Sequence, residues 1–178
     1  ISGLNQARWS RSSQPDSQPG SWHWLAHSLN PSSPSVQGQV KTRDEYGLRT
    51  QYADRWRYGH DESGDLTQPE NILFFSQHPE LQDLHLITAN GGPPLPKHRL
   101  HDPERYTGAL IYAQVLTILF TLPVGQTALW KAYLPLVDAS TLSWLYLASC
   151  LFEQLEIISP TATSVSSGEV LILAQGYR

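Results

Sequence analysis

The chain has 178 residues, of which 40% are hydrophobic and 16% charged, with a formal net charge of −4. This length and mixture predict one globular domain and exclude a disordered chain or two ordinary domains. The acidic balance argues against binding of nucleic acid through a broad basic face, but it is compatible with a local groove. A single cysteine, Cys150, excludes an intrachain disulfide framework and indicates a reducing compartment.

The N-terminal third is poor in periodic pattern. Residues 1–9 are typical of the end of a helix, and because the chain opens within this pattern and contains no methionine, we expect a fragment. Residues 22–29 alternate and predict a strand, which the prolines of the segment 30–34 stop. A short helix is predicted near residues 44–55.

The next helix is predicted to have Thr67 as its N-cap residue. Gly64-Asp65-Leu66-Thr67 is typical of a turn, and Thr67 with Glu70 has the spacing of a capping box. This helix should end before Pro79, and a strand over residues 84–89 should follow. Asn90-Gly91-Gly92 then predicts a turn at the end of that strand.

The apolar run over residues 109–123 is short for a membrane span and contains Gln114, which favours a buried helix. That helix should cover residues 103–122. The remaining predictions are a strand over 126–133, a helix capped by Ser140 or Thr141 and ending near Phe152, and strands over 155–159 and 169–175.

Strands that alternate with helices predict the α/β class, with a mostly parallel sheet and helices on both faces. The last two strands have no helix between them, so they should pair antiparallel. Ligands of such sheets bind at the carboxyl ends of strands. This rule directs attention to the segment after Leu29, to Asn90 and to the surroundings of Lys131.

Four polar residues have both an ordinary and a functional interpretation. Lys131 lies in an apolar strand, where it either reaches from the strand to water or is held neutral to act as a base. Glu169 can be a charged residue at a strand start, and Asn90 and Asp65 can be turn residues. None of the four is specific alone, but their order along one sheet favours a common site.

Three segments resemble the motifs of one enzyme family. Leu86–Gly92 resembles the strand and turn of FtsJ-type methyltransferases, and Ala128–Lys131 resembles the strand that carries their lysine. Pro160–Val170 is similar to the ending that carries their glutamate. Three further segments resemble the branch that methylates the second transcribed nucleotide of capped mRNA: residues 22–31, 58–66 and 145–152.

The resemblance implies a Rossmann-like fold that uses S-adenosylmethionine, in one partial domain over residues 1–178. It assigns Lys131 and Glu169 to a catalytic tetrad that surrounds the target 2′-hydroxyl, with Asn90 at the position of the tetrad aspartate. It also implies cofactor contacts by Asp65, by Asn30 and by Asn90, and no metal. The glycine-rich cofactor loop and the first tetrad lysine would precede Ile1.

The implied function is 2′-O-methylation of ribose at the 5′ end of capped mRNA, in the nucleus or cytoplasm, with RNA as the partner and no membrane. Because Asn90 removes one negative charge, an alternative is a degenerate domain that binds RNA or protein without chemistry. A dehydrogenase is a third alternative, and it predicts a Gly-x-Gly-x-x-Gly turn that the sequence lacks.

Overall fold

The structure is a computed structural model that describes residues 23–36, 44, 46–92, 95–99, 101–160 and 168–178. The helix expected over residues 1–9 lies outside this part of the chain. The strands are β1 (Ala26–His27), β2 (Trp56–Arg57), β3 (Leu86–Ala89), β4 (Thr127–Tyr133), β5 (Phe152–Ile158) and β6 (Glu169–Tyr177). The α-helices are α1 (Leu48–Gln51), α2 (Pro69–Ser76), α3 (Pro103–Thr121) and α4 (Ala139–Leu151). Short 3-10 helices cover Ala53–Arg55, Pro79–Leu81 and Lys97–Arg99.

The strands form two sheets. β1 and β2 make a short parallel pair, and the larger sheet has the order β3-β4-β6-β5. β3 runs parallel to β4, whereas β6 runs antiparallel to both β4 and β5. The α/β class and the antiparallel last strand are therefore confirmed. β5 forms the edge of the sheet, because β6 inserts between it and β4.

One face of the larger sheet carries the main core. Ala128, Trp130 and Ala132 alternate along β4 and are almost fully buried, and β6 adds Val170 and Ile172 beside them. α3 and α4 pack against this face. The Trp130 ring meets that of Trp144 on α4 edge-on at 5.8 Å, a favourable geometry for two aromatic rings.

The opposite face is less completely covered. Leu129, Lys131 and Leu171 point to it, since they alternate with the buried residues, and all three are half-buried. α2, α3 and α4 pack in series, α2 on α3 and α3 on α4. The presence of helices on this second face stays a prediction.

α2 begins one residue later than the capping-box pattern predicts. Pro69 is its first residue, Gln68 occupies the N-cap position, and no side chain caps the helix. A proline is well suited to the first helical turn because it has no N–H to satisfy there. The hydroxyl of Thr67 instead donates to Oδ1 of Asp65. The predicted Thr67 cap is therefore wrong.

The start of α4 was also predicted wrongly. Asp138, rather than Ser140 or Thr141, is its N-cap residue, and its backbone N–H donates to Oε1 of the buried Glu104 at 2.8 Å. A carboxylate from α3 thus accepts a hydrogen bond from the backbone at the start of α4. α3 agrees with its prediction within one residue. Across the described ranges, no helix is both long and apolar enough to span a bilayer.

Candidate functional site

Three strand ends bring the predicted catalytic residues to one place. Ala89, the last residue of β3, pairs with Trp130, so Asn90 leaves β3 beside Lys131 on the parallel strand β4. β6 begins at Glu169, which pairs with Tyr133 near the end of β4. We call Asn90, Lys131, Tyr133 and Glu169 the strand-end cluster.

Lys131 and Glu169 form an ion pair across β4 and β6. Their nearest atoms, Nζ and Oε1, are 3.7 Å apart, and the side chains are 15% and 27% exposed. The two residues are diagonal neighbours on one face, since Lys131 pairs with Leu171, two residues beyond Glu169. The lysine predicted to lie in an apolar strand is thus balanced by a carboxylate at the edge of the site.

Tyr133 shares the same carboxylate oxygen. Its hydroxyl donates to Oε1 of Glu169 at 3.2 Å, and its ring centroid lies 5.6 Å from the Lys131 ammonium. Burial, followed by the charge of Glu169 and this hydrogen bond, raises the pKa of Tyr133 to about 12. Tyr133 therefore stays a proton donor at neutral pH.

The turn after β3 is held by Gln114 of α3. The side-chain amide of Gln114 accepts from the Gly91 N–H and donates to the Gly91 carbonyl, both at 3.1 Å. This double contact fixes the turn that carries Asn90. Next along the turn, a Cβ atom placed on Gly92 would lie 3.4 Å from Nζ of Lys131, so the glycine lets the backbone approach the amine.

Gln114 and Tyr133 have no functional role predicted from the sequence. The signal for Gln114 was available, because a lone amide in an apolar helix must find a hydrogen-bond partner if it is buried. The partner itself could not be deduced, since Gly91 lies 23 residues away. Tyr133 had no comparable signal, as tyrosine is an ordinary strand residue.

Asn30 joins the turn after β1 to the loop before α2. Its backbone N–H donates to Ser63 O and its side-chain amide to Glu62 O, both at 2.8 Å. The Asn30 carbonyl and side-chain oxygen accept from the backbone of Ser33 and of Ser32. The side chain predicted to contact a cofactor thus also holds two loops together.

Asn71 organises the same loop from within. It is fully buried on α2 and makes five hydrogen bonds, to the backbone of His60, Asp61 and Asp65 and to the side chains of Asp61 and Ser63. The bonds from Ser63, then that from Asn71, hold the pKa of the Asp61 carboxyl below its ordinary value. We call Asn30, Asp61, Ser63, Asp65 and Asn71 the loop cluster.

Asp65 lies at the end of this loop with an ordered carboxylate. Its Oδ1 accepts from the backbone N–H of Thr67 at 2.9 Å and from the Thr67 hydroxyl at 2.7 Å. His27 of β1 lies close enough to experience the charge of Asp65. The structure therefore brings Asp65 and Asn30 together in the loop cluster, as it brings Asn90, Lys131 and Glu169 together at the strand ends.

The chain is similar to several longer proteins, some of which are named as methyltransferases. Cap-specific mRNA (nucleoside-2′-O-)-methyltransferase 2 of Mus musculus is 26% identical over 90% of the chain. Probable methyltransferase EP424R of African swine fever virus is 32% identical over 86%. An uncharacterized protein of Acanthamoeba polyphaga mimivirus is 29% identical over 87%. The chain spans 21%, 37% and 19% of these proteins, respectively.

No family model matches the chain. The similarity to the named methyltransferases nevertheless extends over most of the chain. The resemblance read from the sequence motifs is thus confirmed by similarity along the chain. This chain is a relative of the FtsJ-type ribose 2′-O-methyltransferases.

Proposed function

We propose that the chain carries the reaction site of an RNA 2′-O-methyltransferase that acts on the first nucleotides of capped mRNA. The observation that supports this most directly is the Lys131–Glu169 ion pair beside the turn of Asn90. A ribose hydroxyl is a weak nucleophile, so a site that methylates it needs a group that orients it and takes its proton. Lys131 is the group in the strand-end cluster that can do both.

The residues of the cluster divide the work in this proposal. In its neutral form, Lys131 accepts a hydrogen bond from the 2′-hydroxyl and then takes the proton that the hydroxyl loses as the methyl group is transferred. Glu169 holds the amine in place and balances the positive charge that it gains. Gln114 and Gly92 keep the turn of Asn90 close to that amine. Fixed placement of the hydroxyl contributes most of the remaining rate, since proximity can supply about 7–11 kcal/mol.

The described residues fit S-adenosylmethionine, whose adenosine part presents hydroxyl and amino donors. Asp65 offers a carboxylate that Thr67 has already oriented, and Asn30 lies on the neighbouring turn. Asn90 lies at the carboxyl end of β3, where ligands of such sheets bind. We assign these three residues to the cofactor, which supplies an electrophilic methyl group when bound.

The preference for capped mRNA rests on the names of relatives. Proteins of Mus musculus, Drosophila melanogaster and Danio rerio that are 25–27% identical to the chain are named cap-specific mRNA methyltransferases. RNA that carries a 5′ cap is therefore the substrate that we propose, and the nucleus or cytoplasm is where the protein would meet it.

Asn90 supports a second candidate, a degenerate domain that binds RNA or protein. An amide keeps the shape and hydrogen bonding of a carboxylate but lacks its charge. The cluster then holds one carboxylate, Glu169, where the resemblance implies two. Exchange of aspartate for asparagine in a positioned catalytic group can lower a rate by orders of magnitude, as in the serine proteases.

The test measures transfer of a labelled methyl group from S-adenosylmethionine to capped RNA by the full-length protein. We expect transfer that disappears when the target nucleotide is 2′-deoxy and persists when a neighbouring nucleotide is. Lys131→Ala and Lys131→Arg should both abolish it, because arginine keeps the charge but cannot accept a proton. Arg105→Ala, which removes an exposed charge from α3, is the control and should not change it.

The same assay separates the two candidates. Transfer by the unchanged protein that Lys131→Ala abolishes supports the enzyme and shows that asparagine suffices at position 90. An inactive protein that gains activity with Asn90→Asp supports the degenerate domain. Full activity in Lys131→Ala would contradict the site.

A further inference from the structure

The hydroxyl of Tyr133 and the ammonium of Lys131 face one and the same oxygen of Glu169. The hydroxyl lies 3.2 Å from Oε1, and Nζ lies 3.7 Å from it. The nitrogen is thus farther from the oxygen than in a close charged hydrogen bond, which spans about 2.7–2.9 Å. Tyr133 and Lys131 therefore share one oxygen of the carboxylate, and the hydroxyl is the nearer of the two groups.

The backbone makes this arrangement stiff. Tyr133 pairs directly with Glu169 across β4 and β6, and its side chain points to the same face as Lys131. The residue is only 3% exposed, so its ring has little freedom to leave the carboxylate. The Tyr133 hydroxyl also stays protonated at neutral pH, because its pKa is raised to about 12. The hydroxyl donates to Glu169 whether or not Lys131 carries a proton.

We infer that Tyr133 is a positioning residue, which holds the Glu169 carboxylate so that Lys131 is not drawn into a tight ion pair. This inference rests on the proposed function for its consequence, which is that the amine stays available to the ribose hydroxyl. With Asn90 in place of an aspartate, Glu169 is the carboxylate left in the cluster to hold the lysine. The position of this carboxylate affects where the amine points, and the Tyr133 hydroxyl holds one of its oxygens, Oε1.

The first test compares Tyr133→Phe with the unchanged full-length protein in the methyl-transfer assay. Phenylalanine keeps the ring and removes the hydroxyl, so we expect kcat to fall about tenfold with KM for RNA and for S-adenosylmethionine unchanged. Tyr177→Phe is the matched control. It also removes a half-buried hydroxyl, one that donates to Leu119 O on α3, and it should leave kcat unchanged. An unchanged kcat in Tyr133→Phe, or a rise in KM alone, would overturn the inference.

The second test does not depend on turnover. The lysines of the chain are Lys41, Lys97 and Lys131, so an amine-reactive reagent and peptide mapping can follow each one. In Tyr133→Phe, Oε1 of Glu169 loses the hydroxyl that competes with Lys131 for it and can move closer to the ammonium. Labelling of Lys131 should therefore slow several-fold relative to the other two lysines. Tyr177→Phe should leave the ratio unchanged.

The two tests separate this inference from the proposed function. Slower labelling in a protein that shows no methyl transfer would support the role of Tyr133 while the proposed function fails. Methyl transfer that needs Lys131 but is unchanged in Tyr133→Phe would support the proposed function and overturn the role of Tyr133. A lower kcat without slower labelling would overturn the inference as well, because the effect would not pass through Glu169 and Lys131.

Discussion

The loop cluster and the strand-end cluster both gather polar side chains, but they satisfy them differently. Asn71 is fully buried in the loop cluster and makes five hydrogen bonds. In the strand-end cluster, Lys131 and Glu169 are partly exposed and 3.7 Å apart. The first arrangement is expensive to disturb, because buried polar groups that lose their partners cost free energy. The second keeps two charged groups partly accessible to an incoming ligand.

This difference suggests a division of labour. A buried amide with complete hydrogen bonding fixes one backbone geometry, here the loop that carries Asp65. A long, partly exposed ion pair contributes little to stability, and its lysine can exchange the carboxylate for a substrate hydroxyl. Substitutions in the loop cluster should therefore act mainly on folding, and those in the strand-end cluster mainly on turnover.

The largest effect on stability is expected from Asn71→Ala. The change leaves the backbone N–H groups of His60 and Asp61 without their acceptor inside the protein, so the free energy of unfolding should fall by about 4 kcal/mol. Denaturant unfolding measures this. Gln77→Ala, an exposed amide at the end of the same helix, is the control and should change stability by less than about 0.5 kcal/mol. A loss below about 1 kcal/mol in Asn71→Ala would contradict the central role of this residue.

A somewhat smaller loss, about 3 kcal/mol, is expected from Gly64→Ala. Gly64 has a φ of +72°, and a Cβ atom there would lie 2.0 Å from the carbonyl oxygen of Ser28. Gly125 separates the two causes, since its φ is +84° but nothing lies within 4 Å of its Cβ position. Gly125→Ala should therefore cost only about 1 kcal/mol of backbone strain. Equal losses in the two variants would show that the loop is not pressed against the segment that follows β1.

The sequence predicted the strand-end cluster better than the loop cluster. β3, β4 and β6 follow from apolar alternation, and the functional weight of Lys131 and Glu169 came from the resemblance. Their convergence could be expected because the elements belong to one sheet. The loop cluster depends on hydrogen bonds between residues that are polar in an unpatterned stretch, and Asn71 gave no signal there.

The predicted N-cap residues of α2 and α4 are wrong because a proline or a partner distant in sequence determines where each helix begins. Thr67 has the residue type and spacing of a cap, yet Pro69 sets the first turn of α2. The start of α4 is served by Glu104, which lies 34 residues before Asp138. Such contacts exist only once the helices have packed, so a reading of local pattern does not find them.

The pH dependence of stability tests the burial of His27, which lies on β1 beside the loop cluster. Burial lowers the pKa of His27 from 6.5 to about 4, with partial opposition from the backbone of Gly64 and the charge of Asp65. The unfolded chain binds this proton more readily, so stability is lost as pH falls from 6.5 towards 4. The loss attributable to His27 should be about 2 kcal/mol at pH 5 relative to pH 7.5.

Denaturant unfolding at the two pH values, in the unchanged protein and in His27→Gln, isolates this contribution. The variant should lose less stability on acidification, because glutamine does not titrate. His85→Gln, which alters an exposed histidine before β3, should keep the full dependence. Identical pH dependence in all three proteins would show that His27 takes up its proton without unfolding.

The smallest effect on stability is expected from Glu169→Gln, and it gives the sharpest contrast with Asn71→Ala. Glutamine keeps an acceptor for the Tyr133 hydroxyl, and the ion pair that the substitution removes is long and partly exposed. The free energy of unfolding should therefore change by less than about 1 kcal/mol. Turnover should fall at least tenfold in the same variant, because Lys131 loses the charge that holds it. A stability loss as large as that of Asn71→Ala, with turnover preserved, would make the ion pair a structural element and remove the distinction between the two clusters.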